Sequence, residues 1–313
     1  MKYASLGFEH APGNLGDNIQ TLAVEQFLPY VDKRFPIDAL NQVQENDKYL
    51  LVMNGWFTPK PQNWPPSESI VPIFFGFHIR NDKNVQKLLL NEGSINYFKC
   101  HEPIGCRDRE TANMLSRKGV KTYYSKCLTL TFPKRESEPQ NGKVFLVDID
   151  EDTPIPKHLE QVAIRITHVI PHIYSEKLKF EMARQLLDLY RKEARLVITK
   201  RLHCALPCIA FGIPIVFLTD NPDDYRISLL KDLNIKIYKR PNILLRGIYL
   251  FFRRFQYRTR NRFILSKISR ILTELCWLLL INRKVDWNPK PVSIDVEKEK
   301  IIEKINELIQ SKL

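Results

Sequence analysis

Nothing in these 313 residues approaches the ~20 consecutive apolar side chains of a membrane-crossing helix. The amino terminus, MKYASLGFEHAPGNLGD, has no apolar core followed by a small-residue cleavage site, so the expectation is a chain that stays in the cytoplasm. Cysteine is sparse: Cys100, Cys106, Cys127, Cys204, Cys208 and Cys276 are scattered without a CxxC pair, which excludes a disulfide framework and reads as small buried apolar side chains. Cys204 and Cys208, with His203 beside them, could begin a metal site. No further ligand cluster completes a tetrahedral set, and no metal is expected. Internal repeats, low-complexity tracts and a GxGxxG loop are missing as well. Acidic residues are nearly absent from one stretch. Between Arg240 and Lys284 eleven Lys or Arg face a single acid, Glu274, so most of the net charge of +13 sits there. The rest of the chain is close to neutral, which argues against a nucleic-acid partner.

What is present is a globular composition, 44% hydrophobic and 27% charged, in a chain long enough for two domains. Short apolar runs alternate with amphipathic ones: KYASLGF, NIQTLAVEQFL, KYLLVMNGWF, IVPIFFGFHI, NVQKLLLNEG, then ETANMLSRKG before VKTYY. Strands alternating with helices imply a parallel sheet covered on both faces. The stretch PKRESEPQNGK, 133 to 143, interrupts this rhythm. A boundary there divides the chain into residues 1–137 and 138–313. The alternation resumes with KVFLVDID, EQVAIRITHVI, EKLKFEMARQLLDLYRKEA, RLVITK, a helix from about His203 stopped by Gly212, and PIVFL after Pro214. The fold class is therefore α/β, two Rossmann-like domains with a cleft between them, followed by a C-terminal helix over 294–313. Segment 240–284 interleaves arginines with GIYLFF, FIL and CWLLLI, the pattern of basic amphipathic helices lying in a membrane interface. A solvated basic face packed on the second domain and a dimer interface are its alternatives.

Three motifs carry chemistry. In GNLGDNIQ, 13 to 20, two glycines make a tight strand-to-helix turn with exposed amide donors, where Asp17 is placed to N-cap the helix and Gln20 stands at the capping-box position. In PIGCRDRETANMLSRKG, Asp108 is placed to cap the following helix. Arg107 either points to solvent or serves as a planar clamp for a carboxylate or phosphate. In ITKRLHCALPCIAFGIP, a buried strand runs straight into Lys200, Arg201 and His203. Unpaired charge is costly in a core, whereas at a strand's carboxyl end and a helix start it suits an anion site in which His203 can act as an acid. Asp17, across the cleft, is placed to orient or deprotonate a hydroxyl. His78 is either a further site residue or a structural one.

These blocks, together with NGWF at 54–57, FGFHI at 75–79 and SKCLTLTF at 125–132, resemble the polysaccharide pyruvyl transferase family over roughly residues 1–235. The resemblance implies a GT-B-like arrangement of the two domains and transfer of pyruvate from phosphoenolpyruvate, a substrate and not a cofactor, onto two hydroxyls of a sugar as a cyclic ketal. It places the donor at Arg201, His203 and Arg107; the charge of Lys200 suits the same anion, and the chemistry makes His203 and Asp17 the catalytic candidates. The acceptor then lies against Asn18, Asn54, Trp56 and His78. Lys200 and Cys204 stand where the family often has serine and glycine. The acceptor expected is a sugar or lipid-linked oligosaccharide of a capsule or exopolysaccharide precursor, met by a protein peripheral on the inner face of the membrane. A glycosyltransferase of the same architecture with a nucleotide-sugar donor is the alternative, since a diphosphate also suits Lys200 and Arg201. A non-catalytic membrane or nucleic-acid binder would have no need of a cationic cleft.

Overall fold

The structure is a computed structural model describing residues 1–9, 13–57, 60–258, 263–280 and 285–313, with 263, 266 and 276–280 as backbone only. In the first half the chain order is β1 (Lys2–Gly7), α1 (Leu15–Glu25), β2 (Lys33–Pro36), β3 (Tyr49–Trp56), β4 (Ile70–His78), α2 (Lys83–Leu89), α3 (Glu92–Cys100), β5 (Ile104–Cys106), α4 (Arg109–Ser116) and β6 (Thr122–Tyr124). The second half runs β7 (Lys143–Val147), α5 (Lys157–Glu160), β8 (Ala163–Ile166), α6 (Glu176–Glu193), β9 (Ala194–Thr199), α7 (Leu202–Phe211), β10 (Ile215–Thr219), α8 (Ser228–Asp232), β11 (Ile237–Lys239), α9 (Ile243–Arg258), α10 (Phe263–Leu280) and α11 (Asp295–Gln310).

Two parallel sheets result, in the order β2-β1-β3-β4-β5-β6 and β11-β10-β9-β7-β8. Each begins the same way: the second strand flanks the first on one side and the third strand on the other. The direction of winding therefore reverses between β1 and β3 in one sheet and between β7 and β9 in the other. Ligands of open α/β sheets bind at the carboxyl ends of strands at such a reversal, so each half presents one crevice.

The strands read as continuous apolar runs because both faces are covered, and their alternate residues enter different cores. Leu50 and Val52 of β3 join α1, while Leu51 and Met53 face the cluster that holds Phe98 of α3 and Leu115 of α4. In the second sheet Phe145 and Val147 point toward α6 and α7, while Val144 and Leu146 face the opposite side. One core is continuous between the halves. Ile19 and Ala23 of α1, Phe180 and Tyr190 of α6, and Ala205 and Ile209 of α7 belong to it. Helix α11 adds Ile301, Ile305 and Ile309, spaced four apart on one helix face, and packs against residues 128–131 and β4. The C-terminal helix thus returns to the first sheet.

Local punctuation follows the sequence in most places. Gly212 ends α7 in the left-handed conformation, φ 76°, as a helix C-cap glycine should. Two expectations are corrected. Asn14, not Asp17, caps α1: its side chain accepts from the Gly16 amide, and Asp17 lies in the first turn. The run NVQKLLLNEG is not a single helix, because Asn91 caps a second one, α3, after α2 has ended.

Candidate functional site

The amino-terminal turn and the second sheet meet at main-chain level. Leu15 N donates to His168 O at 2.9 Å and Ile170 N to Gly13 O at 2.9 Å, an antiparallel bridge between loops of the two halves. Gly13 is required by this contact, since a Cβ there would lie 1.9 Å from the Ile170 carbonyl oxygen. Gly16 brings α1 close to α7, its Cβ position being 3.2 Å from the His203 Cβ. The two glycines of the GNLGD motif are thus explained by close approach of the halves. A second clasp lies across the cleft: the Tyr225 hydroxyl donates to Ile79 O at 3.0 Å and accepts from Asn81 N, while its ring packs against His78.

Between these contacts is a cleft of about 410 Å³. Asp17, Trp56, His78 and Arg107 line it from the first sheet, and Lys200, Arg201 and His203 from the second. The carboxyl ends of β3, β4, β5 and β9 carry five of these residues. Asn18 and Asn54 do not line it. Asn18 is buried, and the Asn54 amide donates to Gln20 O at 3.1 Å, tying β3 to α1. Arg80, His168, Thr219, Asp224 and Arg226 line the cleft without having been singled out in the sequence. Arg80 and His168 each lie two residues beyond a strand's carboxyl end, the same signal that marked Lys200. Thr219 ends β10, whereas Arg226 lies in a short turn that no periodicity marks.

The lining is strongly cationic, with Arg80, Arg107, Lys200, Arg201 and Arg226 against Asp17 and Asp224. Several of these charges are already engaged. Arg226 pairs with Asp224, Lys200 Nζ with Asp150 at 2.8 Å, and Arg201 Nε with Asp148 Oδ2 at 2.9 Å. Asp148 is held below its ordinary carboxylate value. Burial alone would raise it, but it accepts from Thr167 and the His168 amide and faces Arg201. Arg201 is therefore held through Nε, and its two terminal nitrogens have no hydrogen-bond partner among the described residues.

Arg107 is different. It is 4% exposed, its Nε has no hydrogen-bond partner among the described residues, and the one hydrogen bond its side chain makes to them is Nη1 to Gln20 Oε1 at 3.5 Å. The solvent-pointing alternative for Arg107 is overturned. Asp108 does cap α4, accepting from Thr111 N at 2.7 Å, while Arg107 turns into the cleft. A buried, incompletely paired guanidinium costs several kcal/mol unless an anion meets it.

His203, at the start of α7, has non-helical dihedrals (φ −82°, ψ 17°), and its enclosed Nε2 has no partner among the described residues. Burial, then the charge of Arg107, pushes it well below the ordinary imidazole value. His78 is also pushed down, to about 4, by burial and Arg107. Its Nδ1 lies 2.7 Å from Asp108 Oδ2, and Asp108 is held ionised by His78 and Arg107, so a neutral His78 donates to a carboxylate. Burial pushes Asp17 up from 3.8 to about 6, against hydrogen bonds from Asn14 and Trp56 and the charges of Arg107 and Arg201. Its Oδ2 accepts from Asn14 at 3.1 Å and its Oδ1 from Gln20 at 3.2 Å. Among the described residues no group of three or more His, Cys, Asp or Glu is placed to hold a metal ion.

The Asp148 tether can be tested directly. Asp148 sits in the left-handed region, φ 52°, which asparagine also tolerates, so Asp148→Asn preserves the backbone while releasing Arg201. Steady-state kinetics should show a roughly tenfold loss of kcat/KM, as expected for a clamp that is present but no longer oriented. Unchanged kinetics would show that Arg201 needs no tether.

Two parallel α/β sheets therefore share a cationic cleft at the ends of their central strands. The particular family follows from comparison: the profile of the polysaccharide pyruvyl transferases matches residues 14–222, and the chain belongs to that family. It is also similar to the crystal structure of a functionally uncharacterised protein from Klebsiella pneumoniae subsp. pneumoniae. The two are 13% identical, over 74% of this chain and 87% of that one, with a TM-score of 0.42. No curated protein matches the chain.

Proposed function

We propose that the protein moves pyruvate from phosphoenolpyruvate onto two hydroxyls of a sugar in a lipid-linked cell-surface polysaccharide precursor, forming a cyclic ketal. In this reading the two halves, residues 1–137 and 138–313, take a GT-B-like arrangement with the donor in the cleft. The observation that carries it is the buried Arg107 in the same cleft as His203, the Nε of one and the Nε2 of the other both without a partner among the described residues. Phosphoenolpyruvate has a carboxylate and a phosphate, and Arg107, Arg201 and Lys200 supply the charge to hold both.

The reaction has two proton problems. A proton must reach the methylene carbon so that the adjacent carbon becomes electrophilic, and a sugar hydroxyl must lose one as its oxygen bonds to that carbon. The C–O bond to phosphate then breaks, the second hydroxyl adds, and its proton leaves with inorganic phosphate. His203 is assigned as the acid: the negative charge of a bound donor opposes Arg107 and restores the proton that the empty site disfavours. Asp17, raised toward neutrality and held on the opposite wall, is assigned as the base for the attacking hydroxyl. Trp56 and His78 border the acceptor side.

Thermal stabilisation distinguishes the donors. The melting temperature should rise with phosphoenolpyruvate and stay put with nucleotide sugars, and turnover should release inorganic phosphate with a pyruvyl ketal on the product. Stabilisation by nucleotide sugars, with release of a nucleoside diphosphate, would instead make the protein a glycosyltransferase.

A further inference from the structure

The family match ends at residue 222, and the basic segment lies beyond it. Its described part is a pair of packed helices, α9 and α10. Residues 259–262 and 281–284, which include Arg260, Arg262, Arg283 and Lys284, lie outside the described residues. Two faces of this hairpin behave oppositely. The inner face is fixed to the second half by polar contacts: Arg246 is buried and donates to Asp152 at 3.2 Å, while Arg253 pairs with Glu160 at 2.9 Å and donates to the Glu151 carbonyl. Part of the segment's positive charge is thus internal.

The outer face is apolar and uncovered. Leu244, Ile248 and Phe251 recur at three-to-four spacing on α9, as do Ile264, Ile268 and Ile271 on α10. All six are exposed, Leu244 at 71% and Ile264 at 72%. Arg254 and Arg258, which have no partner among the described residues, stand on the exposed surface of α9, and Glu274 is the one acid of the hairpin. No described helix is long and apolar enough to cross a membrane.

We infer that this face docks on an anionic lipid bilayer, with the hairpin lying in the interface. Apolar stripes bordered by cations match acyl chains below anionic headgroups, the arrangement of an interfacial helix. A second copy of the chain would bring the same net-positive face against itself, and nucleic acid offers the exposed isoleucines nothing to bury against. The root of the hairpin adjoins the cleft: Arg240, just before α9, pairs with Asp150, the carboxylate that also holds Lys200. A docked bilayer is therefore linked to Lys200 of the cleft through Arg240 and Asp150. Docking requires no donor, so its test is independent of the pyruvyl reading.

Sucrose-gradient flotation of the full chain reads it. Wild type should float with phosphatidylcholine vesicles containing phosphatidylglycerol, and stay at the bottom with phosphatidylcholine alone. I248E/F251E/I268E should stay at the bottom in both, with an unchanged melting temperature. R254Q/R258Q should partition about tenfold or more weakly and lose its remaining binding in high salt. The inference is overturned if wild type ignores the anionic vesicles at low salt. It is equally overturned if sedimentation shows a dimer that I248E/F251E/I268E splits, because the face is then covered by a second copy.

Discussion

His203→Ala should fold normally and turn over between about 10² and 10⁴ times more slowly, the range for loss of a positioned acid. The same side chain should announce itself in binding. In the empty cleft its imidazole is neutral near pH 7, because burial and Arg107 hold it well below its ordinary value. A bound phosphoenolpyruvate brings negative charge to that nitrogen and raises its affinity for a proton, so binding should take up as much as one proton per site. By linkage, donor affinity should then strengthen as pH falls between the bound and the free values, by at most about tenfold per unit. Calorimetry in buffers of differing ionisation enthalpy measures the uptake, and His203→Ala should abolish it. A wild type that binds the donor without proton uptake, or a folded His203→Ala enzyme with normal turnover, removes His203 from the acid role.

Much of this site was legible because its chemistry coincides with strand ends. Lys200 and Arg201 stand out in sequence because they interrupt apolar runs, and the structure puts both at the lip of β9. The reversal of winding that locates the crevice was not legible, since it depends on strand order, and β2 and β11 are too short and too polar to announce themselves. The partners that steer the cations were equally silent: Asp148 and Asp150 look like an ordinary strand end in VDID, and only the sheet brings them to Arg201 and Lys200. Asn54 failed in the opposite direction. A polar residue closing an apolar strand resembles a ligand contact, yet its amide is used to satisfy a helix carbonyl. The capping residue of α1 was misplaced by three positions because Asn14 and Asp17 are both good caps, and only the backbone bridge to Val169 decides between them.

Strain of an electrostatic kind accumulates in this cleft. Asp17, His78 and His203 are all displaced toward their neutral forms by burial, while the Arg107 side chain meets only Gln20, at 3.5 Å, among the described residues. A fold selected for stability alone would have no reason to enclose these groups together, and under the proposed function a bound anion would relieve Arg107 and His203. The donor should consequently stabilise the protein more than a neutral sugar of similar size, in keeping with the thermal-shift test above.

Asp17→Asn should make the protein more stable and nearly inactive. The carboxyl rises from 3.8 unfolded to about 6 folded. A group raised in this way contributes stability that is fully present below about pH 4 and is lost as pH climbs through 6, so at pH 7 the ionised form is a burden. About two units at ~1.4 kcal/mol each set a ceiling near 3 kcal/mol. Asparagine can still accept at one oxygen from Asn14 or Gln20, though not at two, so a gain of about 1–2 kcal/mol is expected. For a chain of this size that is a rise of roughly 2–4 °C in melting temperature at pH 7, vanishing near pH 4. Activity should move the other way. Without a carboxylate to take the hydroxyl proton, kcat/KM at pH 7 should fall by about 10² or more. The wild-type profile should lose about tenfold per unit below pH 6 as Asp17 protonates, while the residual rate of the variant should lack that limb. A lowered melting temperature at pH 7 would show that Asp17 is stabilised by its neighbours more than burial disfavours it. An acid limb that survives in the variant would assign the base to another group.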